Sequence, residues 1–139
     1  MAGRTTKECR VRGNPDSTIT ATQAGKHLAA AYDISVSGDD NAIPVELAEA
    51  TGTGQIVGEI ISYRDADNCL IETGDAVLQC SRAYTAADNG ARVVPAADGQ
   101  VTPQQDGGGT IGGNGRIYGG GERMVDGSSV DVVYVKNLT

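Results

Sequence analysis

Apolar residues in this chain come in short runs that alternate with polar ones and stop at a Gly, Pro, Asp or Asn. That is the period of a half-buried β-strand closed by turns. Thr18-Ile19-Thr20-Ala21-Thr22 alternates strictly, Gln55 to Tyr63 predicts a longer strand, and Ser129 to Lys136 predicts the last one. Thirteen Val and nine Ile against five Leu favour the same state, because branching at Cβ stiffens χ1 and suits a pleated surface. Twenty Gly fit frequent turns. Phe and Trp are absent and the aromatics are five Tyr, so the core of a single 139-residue domain must be built from small aliphatics. A domain so poor in large apolar groups gains stability from binding copies of itself or a partner, since a ligand of the folded state stabilises that state. The pattern predicts an all-β fold: a small antiparallel β-barrel or β-sandwich with Gly-rich loops.

Individual segments carry further expectations. The three alanines within His27 to Tyr32 favour helix locally, but the neighbouring Ile34-Ser35-Val36 favours a strand, which is the assignment adopted. Ile43-Pro44-Val45-Glu46-Leu47 reads as an edge strand, because Pro44 donates no ladder bond. Cys69 to Glu72 and Ala76 to Cys80, separated by Thr73-Gly74-Asp75, read as a meander in which Cys69 and Cys80 could face each other. Asn89-Gly90 and Asp98-Gly99, around Arg92-Val93-Val94, are hairpin-turn dipeptides. Nine glycines between residues 107 and 121 argue against a packed element there. An echo between Gly54-Gln55-Ile56-Val57-Gly58 and Gly115-Arg116-Ile117-Tyr118-Gly119 leaves two related β lobes open.

The net charge of −7 disfavours nonspecific binding to nucleic acid or anionic lipid, and no apolar run approaches a membrane span. The charge is uneven. Arg4, Lys7, Arg10 and Arg12 against Glu8 give the first twelve residues a net of +3. Residues 1–17 are therefore expected to form a basic extended arm ahead of an acidic body at 18–139, separated from it by Gly13-Asn14-Pro15-Asp16. The start of the chain has no signal-type apolar segment. Three cysteines at no metal-like spacing suit thiols in a reducing compartment such as a bacterial cytosol.

Chemistry-bearing patterns are sparse. Gly107 to Gly112 matches G-x-G-x-x-G in letters, but lacks the preceding strand and following helix that would hold a pyrophosphate. His27 is the single histidine, so a Cys-His pair or mixed metal site has to use it with a distant cysteine. Asp39-Asp40-Asn41 and Asp65-Ala66-Asp67-Asn68 bring oxygen ligands together, yet turns select the same residues. No catalytic residue, cofactor or metal is expected.

Residues 85–101, Gly115-Arg116-Ile117-Tyr118-Gly119 and Asp126-Gly127-Ser128-Ser129-Val130-Asp131-Val132-Val133 resemble the second half of small capsid decoration (cement) proteins of tailed bacteriophages, loosely extending from Thr18 to Lys136. Gly119-Gly120-Gly121 departs from that pattern, where an apolar strand would continue. The resemblance implies a β-barrel-like structural virion protein on the outer surface of the capsid, synthesised in the bacterial cytoplasm. Its partners would be the major capsid protein and copies of itself, most simply as a homotrimer, with no nucleic acid and no membrane. Arg4, Lys7, Arg10 and Arg12 are the expected capsid-docking arm. Two alternatives from other classes are a tail or fibre domain binding host glycans and a small trimeric β-barrel hydrolase that would draw on Arg116, Arg123 and Asp126.

Overall fold

A computed structural model describes residues 9–38, 41–106 and 112–138. The fold is all-β, as expected. Its first half holds β1 (Arg10–Pro15), β2 (Ala29–Tyr32), β3 (Ile43–Leu47), β4 (Ile56–Asp65) and β5 (Asn68–Glu72). These close into a barrel in the order β1-β3-β2-β4-β5. Every pair is antiparallel except β1–β3, which is parallel. The second half holds β6 (Ala76–Gln79), β7 (Val93–Pro95), β8 (Val101–Pro103), β9 (Arg116–Val125) and β10 (Ser128–Lys136).

The second half repeats most of the strand pairings of the first, although only the first half closes into a barrel: β6, β10 and β9 form one sheet and β7 and β8 another. The antiparallel pairs β6–β10, β7–β8 and β9–β10 match β1–β5, β2–β3 and β4–β5. The parallel β1–β3 pair is matched by a parallel bridge from Cys80 to Val101. Following it, Ser81 N–H donates to the Val101 carbonyl as Asp16 N–H donates to that of Val45, both at 2.9 Å. After the first strand each half makes a 3-10 turn, Ala21–Gln23 or Ala86–Asp88. The turn is held by Gln23 Oε1 accepting from Thr20 N–H at 2.7 Å, or Asp88 Oδ2 accepting from Thr85 N–H at 2.9 Å. Next comes a glycine at positive φ, Gly25 at 72° or Gly90 at 86°, a conformation that side chains resist. Its N–H donates to the carbonyl of Ile60 or Ile117. The chain is two lobes with related strand pairings, the first a closed barrel and the second two sheets joined by the Cys80–Val101 bridge.

The echo in the sequence therefore marks a repeat, but in the wrong register. Ile117 stands where Ile60 does, and Gly115 where Gly58 does, a spacing of 57 rather than the 61 that the letters suggest. The lobes differ by two extensions. Asp33 N–H and the Pro44 carbonyl close a loop seven residues longer than that closed by Ala96 N–H and the Gln100 carbonyl. The β9–β10 hairpin beyond Ile117–Val135 is likewise seven residues longer than the β4–β5 hairpin beyond Ile60–Ile71.

Each lobe has its own core, and β2 is the wall between them. Ala30 packs with Ile19, Val45, Val57, Ile60, Cys69 and Ile71. Ala29 and Ala31 point the other way, into the cluster of Leu78, Cys80, Val93, Val101, Ile117, Val133 and Val135. All three alanines are 2% exposed or less and lie in strand β2, which settles their local ambiguity: burial on both faces by tertiary packing overrides the helix preference of alanine.

Several expectations need correction. Residues 10–15 are not part of a detached arm but the strand that closes the first barrel, pairing with both β3 and β5. Gly13 belongs there because an added Cβ would lie 2.8 Å from Cys69 Sγ. Arg4 and Lys7 lie outside the described residues. Thr18–Thr22 is not a strand, because Thr18 and Thr20 turn their side chains onto local partners: Thr18 Oγ1 bonds Asp16, and Thr20 Oγ1 accepts from Thr22 N–H at 3.2 Å, which competes with a ladder. Ile43–Leu47 is interior rather than an edge. Pro44 is tolerated because the ladder to β2 begins only at Val45. The β5–β6 meander does not form, since β6 leaves to pair with β10, and Cys69 and Cys80 end in different cores. Asp98-Gly99 does connect the β7–β8 hairpin, with φ of 56° and 81°, whereas Asn89-Gly90 leads from the 3-10 turn towards β7.

Residues 107–111 lie outside the described residues, but Gly119–Gly121 continue β9 instead of interrupting it. The glycines make room for rings. A Cβ on Gly120 would lie 2.5 Å from Tyr84 Cγ, and one on Gly119 would lie 3.0 Å from Tyr134 Cδ2. The tyrosines supply the apolar cover that the strand itself lacks.

Because β1 joins β3 to β5, truncation through Pro15 should open the first barrel. The expected outcome is loss of a cooperative thermal transition by circular dichroism. A sharp, unshifted melt in the truncated protein would mean the barrel closes without β1.

Candidate functional site

Of the expected docking cations, Arg10 and Arg12 both lie on the exposed face of β1, and Arg4 and Lys7 lie outside the described residues. Arg10 is engaged within the first barrel, its Nε 3.2 Å from Glu72 Oε1, while Glu72 Oε2 also accepts from the N–H groups of Cys9 and Gly74 at 2.7 and 3.1 Å. Arg12 is exposed on the outer face of β1. There it lines a shallow depression with Arg64, Ser62, Asn68 and Leu70. Arg64 was not singled out in the sequence, because only barrel closure brings β4 and β5 beside β1.

His27 does not meet a cysteine as its partner. It sits at positive φ, 60°, with Nδ1 2.9 Å from Glu59 Oε2. Glu59 Oε1 in turn accepts from Val77 N–H at 3.1 Å, and Gln79 N–H donates to the His27 carbonyl at 2.7 Å. The histidine thus serves the joint between lobes. Burial pushes the Cys69 thiol up to about 11 and raises that of Cys80, the opposite of an activated nucleophile. Cys9 is exposed, and all three are free thiols. Arg116, Arg123 and Asp126 have separate partners: the Asn114 carbonyl, the Tyr134 ring and Lys26.

The strongest ion-pair group is Arg82 with Asp88 and Asp106. Arg82 Nη1 and Nη2 donate to both oxygens of Asp88 at 2.9 and 2.6 Å, and Nε bonds Asp106. Asp88 is buried, and the Arg82 guanidinium holds its carboxyl below the usual carboxylate range. This bidentate pair fixes the 3-10 turn between β6 and β7.

Of the acidic turns considered as cation sites, Asp39 and Asp40 lie outside the described residues. Asp65 acts as a turn anchor, accepting from Asp67 N–H at 2.9 Å and Asn68 Nδ2 at 2.8 Å. A different grouping appears where β1, β2 and β3 converge. Asp16, Asp33 and Glu46 each bring a ligand oxygen within 4.8 Å of the others, a donor set of the kind hard cations accept. Asp33 already turns its own loop, Oδ1 accepting from Ser35 N–H and Oγ at 3.0 and 2.6 Å. Desolvation, then the charges of Asp33, Asp16 and Glu49, raise the Glu46 carboxyl. The three residues lie far apart in sequence, so no spacing announces them.

The β9–β10 hairpin presents a different surface. Tyr118 and Tyr134 have ring centroids 6.1 Å apart, with Arg123 5.6 Å above the Tyr134 ring and Lys136 5.5 Å above that of Tyr118. No protein-family model, curated protein or solved structure matches the chain.

Two stability tests follow from these groups. Arg82→Ala leaves a buried carboxylate without its main partner and should cost about 1–2 kcal/mol, less than for a fully buried pair because the guanidinium is partly exposed, measured by urea unfolding at neutral pH. Because the Asp88 pKa is lowered by folding, the pair's contribution is complete above the unfolded value and is lost as pH falls through the folded one. The wild-type and Arg82→Ala curves should therefore converge in acid. Glu46 has the opposite sign: with its pKa raised, ionisation opposes folding and stability is lost as pH rises through the folded value. Glu46→Gln should raise the melting temperature at neutral pH and lose that advantage in acid, and an equal effect at both pH values would remove the charge argument.

Proposed function

We propose that this chain is a non-catalytic structural virion protein, a decoration protein that binds the outside of a phage capsid shell. It clamps neighbouring major capsid subunits as a homotrimer. The observation that carries the binding half of this reading is how the side chains are used. The histidine, the buried acids and the buried thiols serve the lobes and their joint, while Ile34, Val36 and Met124 are exposed. Large apolar side chains left at the surface suit contact better than catalysis. The shell as target is supported by the resemblance in residues 85–101, 115–119 and 126–133. The cation pair Arg12 and Arg64 replaces the detached arm as the described part of the electrostatic contact, together with Arg4 and Lys7.

Purified protein should co-sediment with mature shells that lack it and not with unexpanded precursor shells. Arg12→Ser with Arg64→Ser should weaken binding several-fold at low salt and little at high salt, since exposed charge contacts are screened beyond a Debye length of ~8 Å at physiological ionic strength. Equal affinity at both salt concentrations would exclude this docking face, and absence of co-sedimentation would exclude the shell. The glycan-binding alternative has one feature in its favour, the Tyr118–Tyr134 pair, whose rings could stack on a sugar. Glycan binding abolished by Tyr134→Ala would select it.

A further inference from the structure

The second lobe carries opposite charges at places where its strand pairings coincide with those of the first. The β4–β5 and β9–β10 ladders each skip one residue, Ile61 or Tyr118, next to the pair Ile60–Ile71 or Ile117–Val135. That shared bulge sets the correspondence: Glu59, Ile61, Leu70 and Glu72 stand in the first lobe where Arg116, Tyr118, Tyr134 and Lys136 stand in the second. Val77 pairs with Tyr134 as Arg12 pairs with Leu70, so β6 takes the place of β1. The Lys136–Asp75 pair at 3.9 Å then repeats the Arg10–Glu72 pair with its signs exchanged.

One of these faces is covered and the other is open. Glu59 and Glu72 are 8% and 4% exposed, and Glu59 is held by His27 and by Val77 N–H from β6. Arg116, the cross-strand neighbour of Lys136, is exposed, with the Asn114 carbonyl 3.5 Å away. Arg123 lies on the same face, because Gly119 and Gly121 border Tyr134 there while Gly120 borders Tyr84 on the other. The acids of the ribbon are segregated from it: Glu122 and its cross-strand neighbour Asp131 alternate onto the Tyr84 side. Lys26 and Lys136 are paired with Asp126 and Asp75, which leaves Arg116 and Arg123 without an ion pair among the described residues. Arg123 and Lys136 are held 5.6 and 5.5 Å from the centres of the Tyr134 and Tyr118 rings, so they are positioned before any partner arrives and lose less freedom on binding.

A further copy of the chain is the wrong cover for this face. Stacked as the second lobe stacks on the first, it would bring Arg10 and Arg12 of its β1 onto Arg116 and Lys136, and like charges so placed oppose contact. We infer that the Tyr118–Tyr134 face of the second lobe binds an acidic, extended segment of a partner protein, whose carboxylates meet Arg116, Arg123 and Lys136 as the donors of the lobe joint meet Glu59. Polypeptide is what covers the corresponding face of the first lobe. A nucleic acid would also run against Glu122, Asp131 and the first lobe, where residues 9–74 hold four Arg or Lys against ten Asp or Glu. The inference extends the protein-binding reading to a second face and is independent of Arg12, Arg64 and the shell.

The test titrates the full chain at low salt with a short peptide alternating glutamate and valine, since an extended chain puts alternate side chains on one side, and follows amide chemical shifts. The shifts should concentrate at Arg116, Tyr118, Arg123, Tyr134 and Lys136. Arg116→Glu combined with Arg123→Glu should weaken binding about tenfold and transfer preference to the matching peptide of lysine and valine, a gain that misfolding would not produce. Both side chains are exposed, so the circular dichroism melt of the variant should match that of wild type. No binding of the glutamate peptide, shifts that map to Arg12 and Arg64 instead, or unchanged affinity in the double variant would overturn the inference. An oligothymidylate or polyglucuronate that binds this face more tightly than the peptide would overturn the assignment to a protein partner. Shell binding is decided separately, by co-sedimentation.

Discussion

Burial of β2 on both faces is the constraint on which the rest of the molecule depends. Ala29, Ala30 and Ala31 lie in a strand buried on both faces, and that strand is the wall that two separate small clusters share. Neither lobe is rich in large apolar groups. The first contributes Ile19, Val45, Ile60 and Ile71, and the second draws Ala29, Ala31, Ala48 and Ile56 across from the first to complete its own cluster. The shared wall gives a chain without Phe or Trp an interior larger than either half could enclose, and burial fraction rises with size.

The repeat also shows how one set of strand pairings tolerates opposite chemistry. Glu59 and Glu72 are cross-strand partners in the first lobe, and Arg116 and Lys136 occupy the matching places in the second. Like charges opposite one another cost stability unless other groups satisfy them. The acids are satisfied by burial among donors: His27 and Val77 for Glu59, Cys9, Arg10 and Gly74 for Glu72. The side of the first lobe that holds Glu59 is covered by β6. Lys136 instead reaches the Tyr118 ring and Asp75. The lobes differ where their surroundings differ, while several backbone hydrogen bonds, such as those of Gly25 to Ile60 and Gly90 to Ile117, recur in both.

The same reasoning separates side chains that serve the fold from those available for contact. Arg10, Arg82, His27 and the buried thiols are occupied by the architecture. Arg12 and Arg64 are exposed cations, and Ile34, Val36 and Met124 are exposed apolar groups on elements that one lobe has and the other lacks. A binding role, on a shell or between copies, draws on this second set without disturbing the first.

The sequence by itself determined the all-β class, most strand positions, the Asp98-Gly99 turn and the C-terminal strand. These follow from local period and turn chemistry, which act over a few residues and need no partner. It also contained the repeat, though in letters shifted from the structural register, because Gly-Xaa-Ile starts are common to many strands. Tertiary structure alone decided that Arg10–Pro15 is a barrel stave, that Pro44 is interior, that three glycines continue a strand under two tyrosine rings, and that Asp16, Asp33 and Glu46 meet. Each of those depends on which strands become neighbours, and strand pairing is fixed by barrel closure and packing between residues tens of positions apart, for which a linear pattern has no signal.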